Sequence, residues 1–292
     1  MITQKTKPYL LFVILIAPIL ILRIITAVYP IIKTINLSLT NSHLLDGTHA
    51  FIGLDNYRRL FQDTEFRFAF LFTLIFIFLS TFFQLALGLL IALFLNIQFR
   101  LRLLARAINL IPWAIPTIVA AYAFHWMLDD QFGILSHWFY SLTGHRLNLM
   151  NSALGAQATL IGVNVWKNAP FMTVIFLAGL QGIPQELYEA ATVDGAGPWS
   201  KFRHITLPMV APLLITMGLY FVIWQLASFD LVYGLTRGGP GITTTVLSLK
   251  IFQEGLPFFK FGYASAISVV LMLLVAVVGI IGARCFQHFN NE

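Results

Sequence analysis

The chain of 292 residues is 58% hydrophobic and 10% charged, with a mean hydropathy of +0.82. Soluble domains carry about 25% charged residues, so this composition excludes a water-soluble globular domain and indicates a protein that crosses the membrane several times. The formal net charge of +6 does not indicate nucleic-acid binding, because basic residues of membrane proteins gather in loops. The single cysteine, Cys285, excludes an intrachain disulfide and a multi-cysteine metal site.

Six segments are apolar enough, and long enough at about 20 residues, to cross a bilayer as helices. In chain order they are about residues 9–32, 68–96, 107–128, 156–180, 209–235 and 262–283. The first follows a basic N-terminus, but its apolar stretch is longer than that of a signal peptide, which favours a span. The sequence therefore predicts an all-α polytopic membrane protein with six transmembrane helices, in which residues 1–292 form a single domain.

The distribution of basic residues predicts the orientation of these spans. An even number of spans places both termini on the same side of the membrane. Lys and Arg are denser in the loops of that side, where Arg100, Arg102 and Arg106 form a tight basic turn. Loops rich in Lys and Arg stay in the cytoplasm, so both termini and the loop 181–208 are predicted to be cytoplasmic.

The loop 181–208 holds EAATVDGAGPWSKFRHITLP at 189–208, a polar stretch between the fourth and fifth spans. Glu189, Ala190 and Ala191 belong to a run of good helix formers, and the small alanines would let another backbone approach closely. Gly195 permits backbone angles that other residues avoid, and Pro208 fits the first turn of the next helix. Residue chemistry alone leaves two alternatives open, an interfacial amphipathic helix and a docking element for a partner.

Polar residues within the fourth predicted span share one helical face. Asn164, Lys167, Asn168 and Phe171 fall at positions i, i+3, i+4 and i+7. Their donors, acceptors and aromatic plane suit a sugar or polyol. Polar contacts between helices are the alternative, because such contacts are common in membrane bundles.

The fifth predicted span carries a second polar group. Trp224, Gln225 and Ser228 fall at i, i+1 and i+4 and are expected to share a helical face. Asp230 is a candidate counter-ion for Lys167, on the basis of charge alone. A buried ammonium group is costly in a membrane, so it is expected to face a cavity or a partner.

Four residues of the first and third spans are not expected to meet a ligand. Arg23 in the first span is expected to pair within the bundle or to reach the outer interface. Trp113, Pro112 and Pro116 are expected to bend the third span, and no ligand role is assigned to them.

Signatures of enzymes are absent from the sequence. There is no G-x-x-x-x-G-K-[ST] phosphate loop, no H-E-x-x-H and no G-x-S-x-G. The seven histidines are scattered along the chain. We therefore expect no catalytic residue, no metal site and no cofactor bound by this chain.

Several motifs together carry a resemblance to a known family. The loop pattern Glu-Ala-Ala, Asp194-Gly195 and Ile205-x-Leu207-Pro208 resembles that of the permeases of binding-protein-dependent ABC importers. The surrounding chain resembles their carbohydrate-uptake branch, of the maltose and glycerol-phosphate type. The supporting stretches are FIGLDNYRRLFQDTEFRFA at 51–69, NVWKNAPF at 164–171, FDLVYGLTRGGPGITTT at 229–245 and GYASAIS at 262–268.

This resemblance implies a type I permease fold and a non-catalytic subunit that imports a sugar, oligosaccharide or polyol by alternating access across the inner membrane of a bacterium. The implied partners are a second homologous permease, an extracytoplasmic solute-binding protein, membrane lipid and two cytoplasmic ATPase subunits that use ATP and Mg²⁺. The loop 181–208 would be the coupling helix that sits in an ATPase groove. The implied coupling residues are Glu189, Ala190, Ala191, Asp194, Gly195, Ile205, Leu207 and Pro208. The implied solute pathway consists of Asn164, Lys167, Asn168, Phe171, Trp224, Gln225 and Ser228.

Two other functions compete with this interpretation. An ion-coupled secondary transporter of a small polar solute predicts internal repeats and acidic relays within the spans. The sequence shows no repeat, and Asp230 is the single acid within the predicted spans. A membrane-embedded enzyme predicts a cluster of catalytic groups near an interface, and the sequence shows none.

Overall fold

The computed structural model describes residues 7–146 and 148–290, without the side chains of residues 7–11, 14 and 285–290. The expectation about Cys285 therefore lies outside the described residues. Within those ranges the chain is helical and has no β-strand, and two isolated bridges join Thr40 to Phe51 and His43 to Thr48. The α-helices are α1 Lys7–Arg23, α2 Tyr29–Ser38, α3 Asp55–Gln62, α4 Thr64–Asn96, α5 Arg102–Ala114, α6 Thr117–Met127, α7 Ile134–Thr143, α8 Ala153–Gln181, α9 Gln185–Val193, α10 Pro198–Lys201, α11 Leu207–Leu226, α12 Asp230–Leu235, α13 Leu247–Gly255 and α14 Phe261–Asn290. Two π-helical turns, Ile24–Val28 and Phe202–Thr206, join α1 to α2 and α10 to α11.

In the described residues, five helical segments are long and apolar enough to cross a membrane: Leu15–Ser38, Thr64–Asn96, Ala153–Gln181, Pro198–Leu226 and Phe261–Arg284. The helices α5 and α6 meet the same criterion only as a pair, and they are bent by 89° at their junction. The total is therefore five, or up to six if the bent pair is one span. The span boundaries and the cytoplasmic position of the termini stay predictions.

The chain forms two compact units. The first takes its described residues from 1–62 and 251–270, and the second from 63–250 and 271–292. In the first unit, Asn56 holds α3 against the end of α2, because its Nδ2 donates to the carbonyls of Ser38 and Thr40 at 2.8 Å each. Arg23, at the end of α1, is exposed, and its role stays a prediction.

The core of the second unit lies between α4 and α8. A β-carbon added at Gly88 would lie 2.6 Å from the Cβ of Met172, so a glycine is needed where the two helices touch. Small residues allow this close approach, which favours packing between apolar helices in a membrane. Phe76 of α4 and Phe176 of α8 are fully buried in this core.

The fifth predicted span differs from the helix that the structure contains. The helix α11 ends at Leu226, and α12 begins only at Asp230. The backbone at the break is satisfied from elsewhere, since the Ser248 hydroxyl donates to the Ser228 carbonyl at 2.5 Å. Such replacement of helical hydrogen bonds is what permits a break in an apolar helix.

Candidate functional site

A connected group of uncharged polar side chains, all buried except the half-buried Asn168, lies between α4, α8 and α11. Asn164 donates from Nδ2 to Gln225 Oε1 at 2.7 Å and accepts at Oδ1 from Asn168 Nδ2 at 2.7 Å. Gln225 Nε2 donates to Thr81 Oγ1 at 2.8 Å and to Gln84 Oε1 at 3.3 Å. Because buried amides are costly without partners, these five residues, here called the amide cluster, hold the three helices together.

Lys167 is the neighbour of Asn168 on α8 and faces the break between α5 and α6. Its side chain is buried, and Nζ donates to the Ile115 carbonyl at 2.6 Å and to the Trp113 carbonyl at 3.3 Å. These acceptors lie at the end of α5, where carbonyls have no intrahelical partner. Asp230 is exposed at the start of α12. The expectation that Asp230 is the counter-ion of Lys167 is wrong, because the ammonium group binds backbone carbonyls instead.

Aromatic rings continue the same face of α8 beyond the amide cluster. Phe171 stacks on Trp113 with ring centroids 5.3 Å apart and planes 23° apart. Phe171 also lies 6.1 Å from the ring of Phe221 on α11. The bend between α5 and α6 therefore places Trp113 beside the aromatic rings of Phe171 on α8 and Phe221 on α11.

The loop after α8 contains a tight helix ending. Gly195 has φ of +78°, its N–H donates to the Thr192 carbonyl at 3.0 Å, and the N–H of Ala196 donates to the Ala191 carbonyl at 2.8 Å. This pair of bonds is the Schellman motif, in which a glycine adopts the left-handed conformation just after the helix. Gly197 is extended, with φ −72° and ψ 170°, so only Gly195 depends on the freedom of glycine.

One side of this loop is anchored to the helix core. Tyr188, Ile205 and Leu207 pack against the buried cluster that includes residues of α4 and α8. The hydroxyl groups of Tyr188 and Thr206 are 2.9 Å apart and join the two ends of the loop. The other predicted coupling residues lie exposed or half-buried at the surface of the loop: Glu189, Ala190, Ala191, Asp194, Gly195 and Pro208.

A polar cavity of about 400 Å³ lies at the end of the second unit where α8 begins, opposite the loop. Its lining includes His125, Asp129, Asp130 and Asn151. The backbone N–H groups of Phe132 and Gln131 donate to Asp129 and hold the pKa of its carboxyl below the usual range. Asn151 donates to Asp130, so both carboxylates have partners within the protein. In the described part of the chain, no three His, Cys, Asp or Glu side chains are placed to hold a metal ion.

A region that contains the loop and every member of the amide cluster except Thr81 matches a known family. Residues 84–290 match the family described as "Binding-protein-dependent transport system inner membrane component". This chain belongs to that family. The predicted family and the predicted inner-membrane location are therefore confirmed.

Relatives within the family align along most of the chain. The trehalose/maltose transport system permease protein MalF of Thermococcus litoralis is 38% identical over 262 residues, which cover 89% of this chain and 88% of the relative. The sulfoquinovosyl glycerol transport system permease protein SmoG of Agrobacterium fabrum is 36% identical over 279 residues, covering 95% and 91%. The sn-glycerol-3-phosphate transport system permease protein UgpA of Pectobacterium atrosepticum is 31% identical over 281 residues, covering 95% and 94%.

Solved structures show the same fold. A bacterial alginate ABC transporter, crystallised with a periplasmic protein bound to an alginate pentasaccharide, matches with a TM-score of 0.86 and 23% identity, over 98% of this chain and 97% of that chain. A bacterial ABC transporter involved in the import of alginate matches with a TM-score of 0.80 and 24% identity, over 96% and 98%. The prediction of an all-α ABC-transporter permease fold is confirmed.

The structure brings together part of the predicted solute pathway of this family member. Asn164, Asn168 and Gln225 are joined directly by hydrogen bonds. Lys167 and Phe171 are linked to each other through Trp113, whose carbonyl accepts from Lys167 and whose ring stacks on Phe171. The expected common face of Trp224, Gln225 and Ser228 is wrong. Trp224 is 62% exposed and stacks on Tyr220, and Ser228 lies beyond the end of α11.

Three residues of the site were not predicted as part of it. Thr81 and Gln84 lie three positions apart in the apolar helix α4, and that polar pair was the signal available in the sequence. Trp113 was assigned no ligand role, yet it contacts Phe171. Its position depends on the break at Pro116, whose angle the sequence does not specify.

Proposed function

We propose that this chain is the permease subunit of an ABC importer that moves a sugar, oligosaccharide or polyol across the inner membrane by alternating access. The amide cluster, set beside the Trp113–Phe171 stack in an otherwise apolar bundle, carries this proposal. The named relatives are permeases for trehalose and maltose, sulfoquinovosyl glycerol and sn-glycerol-3-phosphate. All of these solutes carry two or more hydroxyl groups, which supports a polyhydroxyl solute here.

The chemistry of the site suits such a solute. Amide groups both donate and accept hydrogen bonds, as hydroxyl groups do. Asn164, Asn168 and Gln225 would bind hydroxyls, while the faces of Trp113 and Phe171 would pack against the C–H face of a sugar ring. A small number of placed polar groups among aromatic walls is typical of small-molecule sites.

In this conformation the amides bind one another instead of a solute. Asn164 is 3% exposed and Gln84 0%, so a solute reaches them only after α4, α8 and α11 separate. Separation breaks amide–amide hydrogen bonds, and hydroxyl groups of the solute can replace them one for one. The solute would thereby stabilise the open state relative to the closed state, which is the condition for a ligand-linked shift between two conformations.

The loop 181–208 would transmit motion from a cytoplasmic ATPase subunit. Glu189, Ala190 and Asp194 are exposed and would enter a groove of that subunit, while Tyr188 and Ile205 tie the loop to the helix core. Two ATPase subunits would hydrolyse ATP with Mg²⁺, and this chain would bind no cofactor. A second homologous permease and an extracytoplasmic binding protein would complete the complex, with both termini in the cytoplasm.

The test is purification of the tagged chain from native membranes, followed by reconstitution of the complex in proteoliposomes with its binding protein. Radiolabelled maltose and trehalose serve as probes. We expect copurification of ATPase subunits and uptake that requires ATP on the side of loop 181–208. Uptake driven by a proton or sodium gradient without ATP would instead establish a secondary transporter.

The same assay tests the solute path. Asn164→Ala should lower maximal uptake without changing the affinity of the isolated binding protein for its sugar. Uptake equal to that of the wild type would remove Asn164 from the path.

A further inference from the structure

Lys167 is a buried cation in the middle of a long apolar helix. It is 5% exposed, and an ammonium group removed from water is costly unless hydrogen bonds or opposite charge compensate it. In the described residues no carboxylate forms an ion pair with it. Compensation comes from the carbonyls of Ile115 and Trp113, at 2.6 Å and 3.3 Å from Nζ.

Those two carbonyls lie at the C-terminal end of α5, where no N–H of the helix is available to donate to them. Pro116 has no N–H to donate and disfavours the helical conformation of Ile115, which has φ −70° and ψ 132°. The helix therefore stops at Ala114, and its last carbonyls lose their intrahelical donors. The C-terminal end of a helix also carries a partial negative charge. The ammonium group of Lys167 thus donates to carbonyls that have no helical donor, and those carbonyls compensate its buried charge.

We propose that Lys167 is a positioning residue whose ammonium group holds α5 and α6 in their bent form against α8. The consequence for transport rests on the proposed function, because the bend is what places Trp113 against Phe171 in the wall of the solute path. The Lys167 side chain acts through the backbone carbonyls at the junction of α5 and α6. An apolar residue at 167 would leave two carbonyls unpaired within the bundle, and the pair would straighten or become heterogeneous.

A distance across the bend reports this directly. Leu103 on α5 and Trp126 on α6 are 73% and 71% exposed, and both can be replaced by cysteine in a Cys285→Ser background and spin-labelled. With a rise of 1.5 Å per residue, the two arms are about 18 Å and about 16 Å long, which gives a separation of about 24 Å at a right angle and about 34 Å in a straight helix. Relaxation of the bend by about 30° would lengthen the separation by about 5 Å.

The experiment measures this separation by pulsed electron paramagnetic resonance on the full chain in lipid nanodiscs. We expect Lys167→Met to lengthen or broaden the distance distribution and Lys167→Arg to restore it. Asn168→Ala is the matched control, because the hydrogen bonds of the Asn168 side chain go to Asn164 and not to the break, and it should leave the distance unchanged. If Lys167→Met does not accumulate, Lys167→Gln tests the charge of the ammonium group, because the amide keeps N–H donors but is uncharged. An unchanged distance in the variant that is measured would overturn the proposal.

This measurement needs neither solute nor ATPase, so its failure is distinct from failure of the proposed function. Uptake that proves independent of ATP would refute the importer and leave the distance result standing. An unaltered distance would refute the role of Lys167 even if ATP-driven uptake were demonstrated.

Discussion

The substitution Gln225→Leu removes the central member of the amide cluster and keeps a side chain of similar volume. Gln225 takes part in three hydrogen bonds: it accepts from Asn164 at 2.7 Å and donates to Thr81 at 2.8 Å and to Gln84 at 3.3 Å. Because Gln225 is 3% exposed, water does not reach these partners in the folded protein. The substitution therefore deletes the bonds without a substitute.

The magnitude follows from the number of bonds lost. Hydrogen bonds between membrane helices contribute about 0.6 kcal/mol on average, so three of them give about 2 kcal/mol. The partners are not left wholly unpaired. Gln84 still donates to the Asn164 carbonyl at 3.1 Å, and Asn164 still accepts from Asn168. This retained bonding keeps the expected loss well below the sum of full desolvation penalties.

The assay is the free energy of unfolding in mixed micelles of a mild and a denaturing detergent, followed by circular dichroism. Trp224→Leu is the control, since Trp224 is the adjacent residue, is 62% exposed and lies outside the amide cluster. We expect Gln225→Leu to lower the free energy of unfolding by about 2 kcal/mol and Trp224→Leu by less than about 0.5 kcal/mol. Equal losses in the two variants would refute the cluster as a source of stability.

Three further substitutions test the loop and the core. Gly195→Asp should abolish uptake because φ of +78° is strained for any residue with a Cβ. The control Gly197→Ala, at an extended residue with open space around it, should keep wild-type uptake. Equal uptake by both variants would contradict a role for the left-handed turn at Gly195. Glu189→Lys should abolish uptake while membrane expression stays normal, and normal uptake would remove Glu189 from the docking surface. Gly88→Ala should lower the midpoint temperature of unfolding, because the added Cβ would lie 2.6 Å from the Cβ of Met172. The control Gly162→Ala, whose added Cβ meets no atom within 4 Å, should not lower it. Similar midpoints for the two variants would show that α4 and α8 can move apart freely.

The sequence predicted those parts of the site that depend on one regular helix. Asn164, Asn168 and Phe171 meet on one face because α8 is continuous from Ala153 to Gln181 and preserves its periodicity. Trp224 and Ser228 do not share a helical face, because α11 ends at Leu226 and helical periodicity does not extend past a helix end. Sequence spacing indicates which residues share a face and does not reveal where a long apolar stretch breaks.

The partners of those residues could not be predicted, for a different reason. Gln84 reaches Asn164 across 80 positions of sequence, and a contact between two helices leaves no periodic signal. Lys167 was paired with Asp230 on charge alone, whereas its acceptors are backbone carbonyls, which every residue carries. The sequence therefore shows that the charge of Lys167 needs a partner. Only the packing of α5 against α8 shows that this partner is a pair of backbone carbonyls.

One continuous helix, α8, carries Asn164 and Asn168 of the amide cluster and ends at Gln181, where the loop begins. It therefore connects the proposed solute site to the proposed coupling loop. Gln181 lies seventeen positions after Asn164 within α8, a distance of about 26 Å along the helix. Between them, Met172, Phe176 and Leu180 belong to the buried core against which the loop packs, so a force on the loop acts on α8 through close contacts. The helix continues through Pro170. Displacement of the C-terminal end of α8, at Gln181, is therefore expected to shift the Asn164–Gln225 contact in the same motion. Movement of the loop and opening of the amide cluster would then form one conformational step.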